Sequence, residues 1–303
     1  MRIFVTGASG WIGSGVVAEL IGSGHQVVGL ARSDASAESI AAAGAEVRRG
    51  DIGDLDLLRS AAADSDGVAH LAFRHDLAFT GDMETAVNSD LAAIEALGDT
   101  LAGTDRPLMI ASTIAGLNPG ALATERDTGD PSATGGRALN EQAALALAER
   151  GVRSISVRLA PTVHGAGDNG LMAMIVAADR AAGSAAYIGD FVNRWSAVHR
   201  NDGARLVRLG IESAPAGSVL HAVGEEGVAL RDVAEAIGSQ LDLPVTSITA
   251  EQAADHFGFL AAFLGVDMPA SIALTRELLS WQPSAPGLIA DLNQGFYYSP
   301  APA

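Results

Sequence analysis

Thr6-Gly7-Ala8-Ser9-Gly10-Trp11-Ile12-Gly13 decides how this chain folds. An apolar run at 3–6 precedes it and an amphipathic stretch at 12–23 follows it, so the glycines fall between a strand and a helix. Glycine at such a turn lets the backbone approach a pyrophosphate and lets the helix pack closely on the sheet. The first turn of the helix then offers free N–H groups and a positive dipole end to phosphate. The stretch therefore predicts a dinucleotide site built from Gly7, Ser9, Gly10, Trp11, Ile12 and Gly13.

Outward from this turn the pattern repeats. Strand-like runs at 26–30, 46–49, 67–71, 108–111 and 154–158 alternate with helical stretches at 36–43, 55–63, 82–101 and 137–150. Gly24, Gly44 and Gly151 stand at helix ends, where a left-handed cap is favoured. Apolar strands joined by helices predict an α/β fold, a Rossmann-type doubly wound parallel sheet covered on both faces. After Gly165 the rhythm changes: a helix at 171–182, a polar and aromatic segment from Tyr187 to Trp195, a helix at 202–211, a strand at 219–223 and a helix at 230–240. The expected division is a dinucleotide-binding domain over 1–165, to which 196–223 returns. A smaller, mostly helical substrate region comprises 166–195 and 224–295, and 296–303 forms a loose tail.

Composition narrows the function. The chain has 303 residues and a formal charge of −17, which disfavours nucleic acid and anionic membrane as partners and leaves a small-molecule substrate. It has no cysteine, so disulfides and thiolate chemistry are excluded. No apolar run reaches the ~18 residues of a membrane span, and Met1 leads directly into the first strand, so the expected location is the cytoplasm. His70 and His75 lack the helical spacing of a zinc pair, and no metal site is expected. The sequence does not fix the oligomeric state, and a homodimer is the assembly considered. All 19 basic residues are arginines, and the three tyrosines, Tyr187, Tyr297 and Tyr298, fall in the second half.

Several further motifs carry a family resemblance. The opening turn has the spacing Thr-Gly-x-x-Gly-x-x-Gly. It is followed by Gly50-Asp51-Ile52, by Val68-Ala69-His70-Leu71-Ala72 and by Ser112-Thr113. Later come Val157 to Gly165 (including Pro161, Val163 and His164), Ala197 to Asp202, and Thr275 to Pro283. Together these resemble the extended short-chain dehydrogenase/reductases over nearly the whole chain. The resemblance implies that Asp51 and Ile52 lie by an adenine and that Leu71 and Ala72 lie under the nicotinamide-side ribose. It also implies that Pro161, Val163 and His164 border the nicotinamide.

Cofactor choice is read at the end of the second strand, Gly29-Leu30-Ala31-Arg32-Ser33. A ribose 2′-OH calls for a carboxylate there, and a 2′-phosphate calls for arginine. Ala31 followed by Arg32 and Ser33 favours NADP(H). The competing reading makes Arg32 a solvated surface residue and gives the ribose to Asp34.

The resembled family places a Tyr-x-x-x-Lys motif at the helix after the fifth strand. Counting back from Glu141 puts Ala133 at or beside the tyrosine position and Arg137 at the lysine position. Arg137 can bond a ribose but is a poor proton donor; it can equally cap the helix. Ser112 and Thr113 remain where the family places a substrate-binding hydroxyl. Such a site suits a reductase of a small cyclic or aromatic imine or carbonyl compound, because an iminium is already electrophilic. It also suits a non-catalytic NADP(H) sensor. A sugar-nucleotide epimerase or dehydratase fits less well, since it must first oxidise an alcohol. Asn118 in Gly116-Leu117-Asn118-Pro119 is expected either to anchor substrate or to form a turn. Trp195, with Phe257, Phe259 and Phe263, is expected either to roof the substrate or to fill the core. Tyr187 is the one tyrosine weighed as a replacement acid. His70 is expected to bond backbone, and His199 to lie buried beside Asp202.

Overall fold

The computed structural model describes residues 1–78, 80–133, 135–189 and 193–298. Its first half runs β1 (Arg2–Thr6), α1 (Trp11–Gly22), β2 (Gln26–Ala31), α2 (Asp34–Ala42), β3 (Glu46–Arg49), α3 (Leu55–Ala63), β4 (Gly67–His70), α4 (His75–Ala78), α5 (Met83–Leu101) and β5 (Pro107–Thr113). Then come α6 (Arg137–Ala146), β6 (Arg153–Leu159), β7 (Thr162–His164), α7 (Leu171–Ala182), β8 (Ala185–Ile188), β9 (Arg194–His199), α8 (Arg200–Ser213) and β10 (Ser218–Ala222). The chain closes with β11 (Glu225–Ala229), α9 (Leu230–Leu241), β12 (Val245–Ile248), α10 (Ala250–Phe257), α11 (Ala261–Leu264), α12 (Ala273–Leu279) and α13 (Leu288–Leu292).

Seven parallel strands form the main sheet in the order β10-β6-β5-β4-β1-β2-β3. The direction of winding reverses between β1 and β4, and ligands of open α/β sheets bind at the carboxyl ends of the strands beside such a reversal. The interior strands are buried on both sides, which is why they read as unbroken apolar runs; Ile3, Phe4 and Val5 all have 0% exposure. One apolar cluster, with Val16, Leu20 and Val207, lies under α1 and α8. Another, with Leu58, Ile94 and Leu97, lies under α3 and α5. A third draws Ile175, Trp195, Val233, Ile237 and Phe257 from the later elements and forms a separate core.

Two small sheets accompany the main one, β11-β9-β7 and β12-β8. The sequence reading does not anticipate them. They are three to six residues long, and β11 includes Glu225, Glu226 and Gly227, so tertiary pairing makes these strands where local propensity does not. The tail also differs from expectation over its described part. Tyr297 donates its phenolic O–H to Asp168 at 2.7 Å, Arg180 donates to the Tyr298 carbonyl at 2.8 Å, and both rings pack on the third core. Residues 299–303 of that tail, and 190–192 of the segment before Trp195, lie outside the described residues. Among the described residues no helix is long and apolar enough to cross a membrane.

Candidate functional site

The glycine turn sits at the carboxyl end of β1, beside the reversal. Gly7 has φ +69°, and a Cβ there would come within 2.9 Å of the Ala72 nitrogen, so the turns after β1 and β4 touch. A Cβ at Gly13 would lie 1.9 Å from the Gly7 carbonyl oxygen; only glycine lets α1 start this close to the strand. Gly10 caps α1 with no side-chain bond, whereas α2, α3, α5 and α10 are capped by Ser33, Asp54, Asp82 and Thr249. The first-turn N–H groups of α1 are thus left to an incoming acceptor, which fits a diphosphate. Trp11 closes one wall: its indole N–H donates to the Val163 carbonyl at 2.8 Å, and the Arg200 guanidinium lies 4.4 Å above its ring. Ile12 turns inward to pack on the core, and Ser9 stays partly exposed in the turn.

The ends of β2, β3 and β4 extend the groove. Arg32 is exposed after β2 and bonds Asp76 at 3.2 Å. Ser33 spends its hydroxyl capping α2. Asp51 folds its carboxylate back on the Gly53 N–H at 2.9 Å, and Ile52 is buried beneath it. Leu71 and Ala72 line the exit from β4, and the Ala72 N–H donates to Thr6 Oγ1 at 3.1 Å.

That bond begins a buried relay. Thr6 Oγ1 lies 2.8 Å from His70 Nδ1, and His70 Nε2 lies 3.2 Å from Asp90. The second oxygen of Asp90 accepts from the Asn140 amide at 2.8 Å. A carboxylate accepts, so Nε2 carries the proton and Nδ1 accepts from Thr6, which fixes one direction along the chain. His70 therefore bonds side chains, not the backbone expected of it. Burial pushes Asp90 upward, but hydrogen bonds from His70 and Asn140 and the charge of Arg137 leave its carboxyl below the usual range.

Arg137 opens α6. Its guanidinium stacks 4.4 Å over the Phe73 ring and reaches the Ala111 carbonyl at 3.4 Å. Burial lowers its pKa, opposed by Asp90 and Glu141. It thus lies between the segment that follows β4, through Phe73, and β5, through Ala111. Ala133 is exposed in the turn ahead of it. Thr113 Oγ1 accepts from the Ala115 N–H at 3.0 Å, which leaves its proton available to a ligand. Ser112, its neighbour, faces the other side of the strand and is 7% exposed. Behind α6, Glu141 holds Arg158 through two bonds of 2.9 and 2.8 Å, with both side chains nearly inaccessible, and the Ser156 hydroxyl also donates to it.

On the far side, Pro161 and Val163 are partly buried, and the Val163 carbonyl accepts from the Trp11 indole. His164 is 1% exposed and lies 2.6 Å from Asp291 of α13, so its ring is an anchor under β7 and is turned from the groove. His199 caps α8 through the Asn201 N–H and faces Asp291 at 3.8 Å; it is half-buried, and Asp291 is nearer to its role than the expected Asp202.

Asn118 is exposed at φ +28°, and its carbonyl closes the expected turn with the Ala121 N–H. Two expectations are corrected here. Trp195 is fully buried in β9, with its indole N–H donated to Val266, so it fills the third core and does not roof a substrate. Phe257 is buried with it, while Phe259 and Phe263 are exposed, so the three form no common lid. Tyr187 lies along an apolar cavity of that same core, with Arg231 over its ring at 5.7 Å. Conversely, the sequence reading missed Asp90, Asn140 and Arg74. Asp90 had one available signal, a carboxylate among Ala86, Val87, Ala93, Ile94 and Leu97 on the buried face of α5.

Comparison with known proteins agrees with this layout. The family model described as NAD dependent epimerase/dehydratase family matches residues 3–222. An uncharacterized protein of Schizosaccharomyces pombe is 45% identical over 98% of this chain and 100% of its own length. An uncharacterized protein of Saccharomyces cerevisiae is 42% identical over 98% of this chain and 99% of its own. Among solved structures, the UDP-glucose 4-epimerase of Thermotoga maritima with UDP-glucose superposes with a TM-score of 0.76 at 20% identity, over 98% of both chains. The dTDP-glucose 4,6-dehydratase of Streptomyces venezuelae, with NAD bound, gives 0.74 at 21% identity, over 98% of this chain and 97% of that one.

Proposed function

This chain belongs to the NAD dependent epimerase/dehydratase family, and on that premise we propose that it is an NADP(H)-dependent reductase of a small cyclic or aromatic imine or carbonyl compound, working without a phenolic acid. The observation that carries the reading is the pairing of Arg137, stacked on Phe73, with an exposed Ala133 where the resembled enzymes have lysine and tyrosine. The α1 N-terminus holds the diphosphate, Arg32 receives the 2′-phosphate, and Arg137 bonds the nicotinamide ribose. Bound NADPH supplies the hydride. Thr113 orients the substrate heteroatom: its hydroxyl oxygen accepts from the N–H of an iminium, or its O–H donates to a carbonyl oxygen, which then takes its proton from water after hydride transfer. An iminium arrives already protonated, so positioning and charge stabilisation suffice.

One feature favours a second reading, a protein that binds NADP(H) without turnover: none of the described tyrosines contacts Thr113 or Arg137, and Tyr297 is committed to Asp168. Epimerisation or dehydration fits less well for the same reason, because alcohol oxidation needs a base there. NADPH oxidation followed at 1:1 stoichiometry against a panel of cyclic imines and ketones tests the proposal. Steady consumption with an imine is the expected result. Tight binding of NADPH with no consumption across the panel would favour the sensor.

A further inference from the structure

The carboxylate of Asp76 sits between two guanidiniums that come from different parts of the chain. One oxygen meets Arg32 NH1 at 3.2 Å, and Arg74 meets both oxygens, through Nε at 3.2 Å and NH2 at 3.3 Å. Arg32 follows β2, and Arg74 and Asp76 follow β4, so the three side chains bridge the two loops that flank the adenosine half of a doubly wound dinucleotide site. Arg74 also reaches Asp51 at 3.6 Å, which ties it to the loop after β3. The cluster is open to solvent: the side chains of Arg32 and Asp76 are 60% and 45% exposed, and that of Arg74 is 26% exposed. Most other exposed arginine–carboxylate contacts here are one-to-one, such as Arg49 with Asp34 or Arg150 with Asp99. A single carboxylate shared by two arginines over a ligand groove is a different arrangement.

We propose that Arg32 and Arg74 together form the clamp for the ribose 2′-phosphate of NADP(H), and that Asp76 is an internal competitor which the phosphate displaces. The proposal rests on the cofactor reading above and adds Arg74 and Asp76 as residues that set its specificity. A phosphate monoester carries about −1.5 to −2 charge at neutral pH and three acceptor oxygens, against one charge and two oxygens for Asp76. Two guanidiniums present planar donor forks suited to that geometry. Asp76 keeps the two arginines from repelling each other before the cofactor arrives. It also lowers the affinity of the clamp for weak anions, so that only a group able to outbid a carboxylate is retained. A 2′-hydroxyl offers no charge and leaves Asp76 in place. NADH therefore binds without engaging the clamp.

Calorimetric titration with 2′,5′-ADP and with 5′-ADP tests this without catalysis and without the nicotinamide half. The expected result is that Arg74→Ala weakens 2′,5′-ADP about tenfold or more and leaves 5′-ADP within about twofold, as Arg32→Ala does. Asp76→Asn should tighten 2′,5′-ADP several-fold and leave 5′-ADP unchanged. Both differences should shrink as salt is raised, because the groups are exposed. Equal loss for the two ligands in Arg74→Ala would mean that Arg74 packs against the adenine, and would overturn the clamp. Weaker 2′,5′-ADP binding in Asp76→Asn would overturn the competitor role. If Arg32→Ala alone erases the preference while Arg74→Ala has no effect, the clamp fails and the NADP(H) reading stands. If the unmodified protein shows no preference between the two ligands, the NADP(H) reading itself fails.

Discussion

Asp179 offers the sharpest quantitative test of the architecture, because it is a carboxylate with no exposure at all inside an apolar core. It lies on α7 among Ile175, Tyr187, Val233 and Phe257, accepts from the Ala186 N–H at 3.2 Å and lies 2.8 Å from His256 Nε2; its second oxygen has no partner. Burial drives its pKa upward, the bonds to His256 and Ala186 work against that, and the result is pushed up to about 6 from an ordinary 3.8. A folded-state pKa raised by about 2 units means that the native state takes up a proton more readily than the unfolded chain. The associated stability is fully present below about pH 4 and is lost as pH rises through about 6. At about 1.4 kcal/mol per unit, the loss is on the order of 3 kcal/mol. Asp179→Asn removes the titration while keeping an oxygen for Ala186 and His256. Urea unfolding of both proteins from pH 4 to pH 8 should show the variant gaining on the parent by about 3 kcal/mol, with most of the change between pH 4 and 6. Any constant offset from the new buried amide leaves this difference intact. A gap between the two that stays flat with pH, or that widens in favour of the parent as pH rises, would show that His256 holds the ionised carboxylate as a favourable ion pair and would refute the argument.

Three further outcomes follow from the geometry. Glu141→Leu and Arg158→Met should each cost about 3–5 kcal/mol in chemical denaturation, because each strands a buried charge; combined with Ser156→Ala they should recover most of that loss, and simple additivity would contradict a buried pair. Gly13→Ala forces a Cβ into the Gly7 carbonyl and should abolish dinucleotide binding or folding. Gly22→Ala in the same helix meets nothing within 4 Å and should be neutral or stabilising by up to about 1 kcal/mol, as read by thermal melts. Arg137→Ala should weaken NADPH about tenfold while leaving 2′,5′-ADP unaffected by calorimetry, since Arg137 serves only the nicotinamide half; equal losses would place it elsewhere.

The parts of the fold that could be read from sequence are those whose cause is local. β3 and α3 fall on the expected boundaries, and β1, α1, β2 and α5 fall within a residue of them, since an apolar run and a helix-ending glycine or capping Asp54 or Asp82 are written in consecutive positions. β7, β9 and β11 escaped because their reason for being strands is one another: Val163 pairs with Val198, and Val228 pairs with Trp195. The site divides the same way. The glycine turn declares its backbone role within eight residues. Arg74 and Asp90 carry no such mark, since Asp51 and His70, which they reach, lie 23 and 20 positions away and meet them only once the sheet has formed. Trp195 misled for a related reason: an aromatic in a polar stretch looks functional until a strand pairing turns it inward.

The loss of tyrosine and the replacement of lysine by arginine have one physical explanation. In the resembled enzymes the ammonium both lowers the phenol's pKa and bonds the ribose. With Ala133 exposed where the phenol would stand, the function proposed above leaves Arg137 only the second task. Arg137 lies in surroundings that lower its pKa by burial, packed on Phe73 and facing the ionised Asp90. An ammonium taken into such a place tends to shed its proton, because desolvation penalises the charged form and lysine starts only about three units above neutrality. A guanidinium starts far higher and keeps its charge. Asp90 in turn is ionised because hydrogen bonds from His70 and Asn140 and the charge of Arg137 outweigh its own burial. The relay from Ala72 through Thr6, His70 and Asp90 then holds a fixed negative charge against a fixed positive one. On the function proposed above, this paired charge beside β4 and β5 serves to place a ribose and a substrate heteroatom, with the proton brought by an iminium or taken from water.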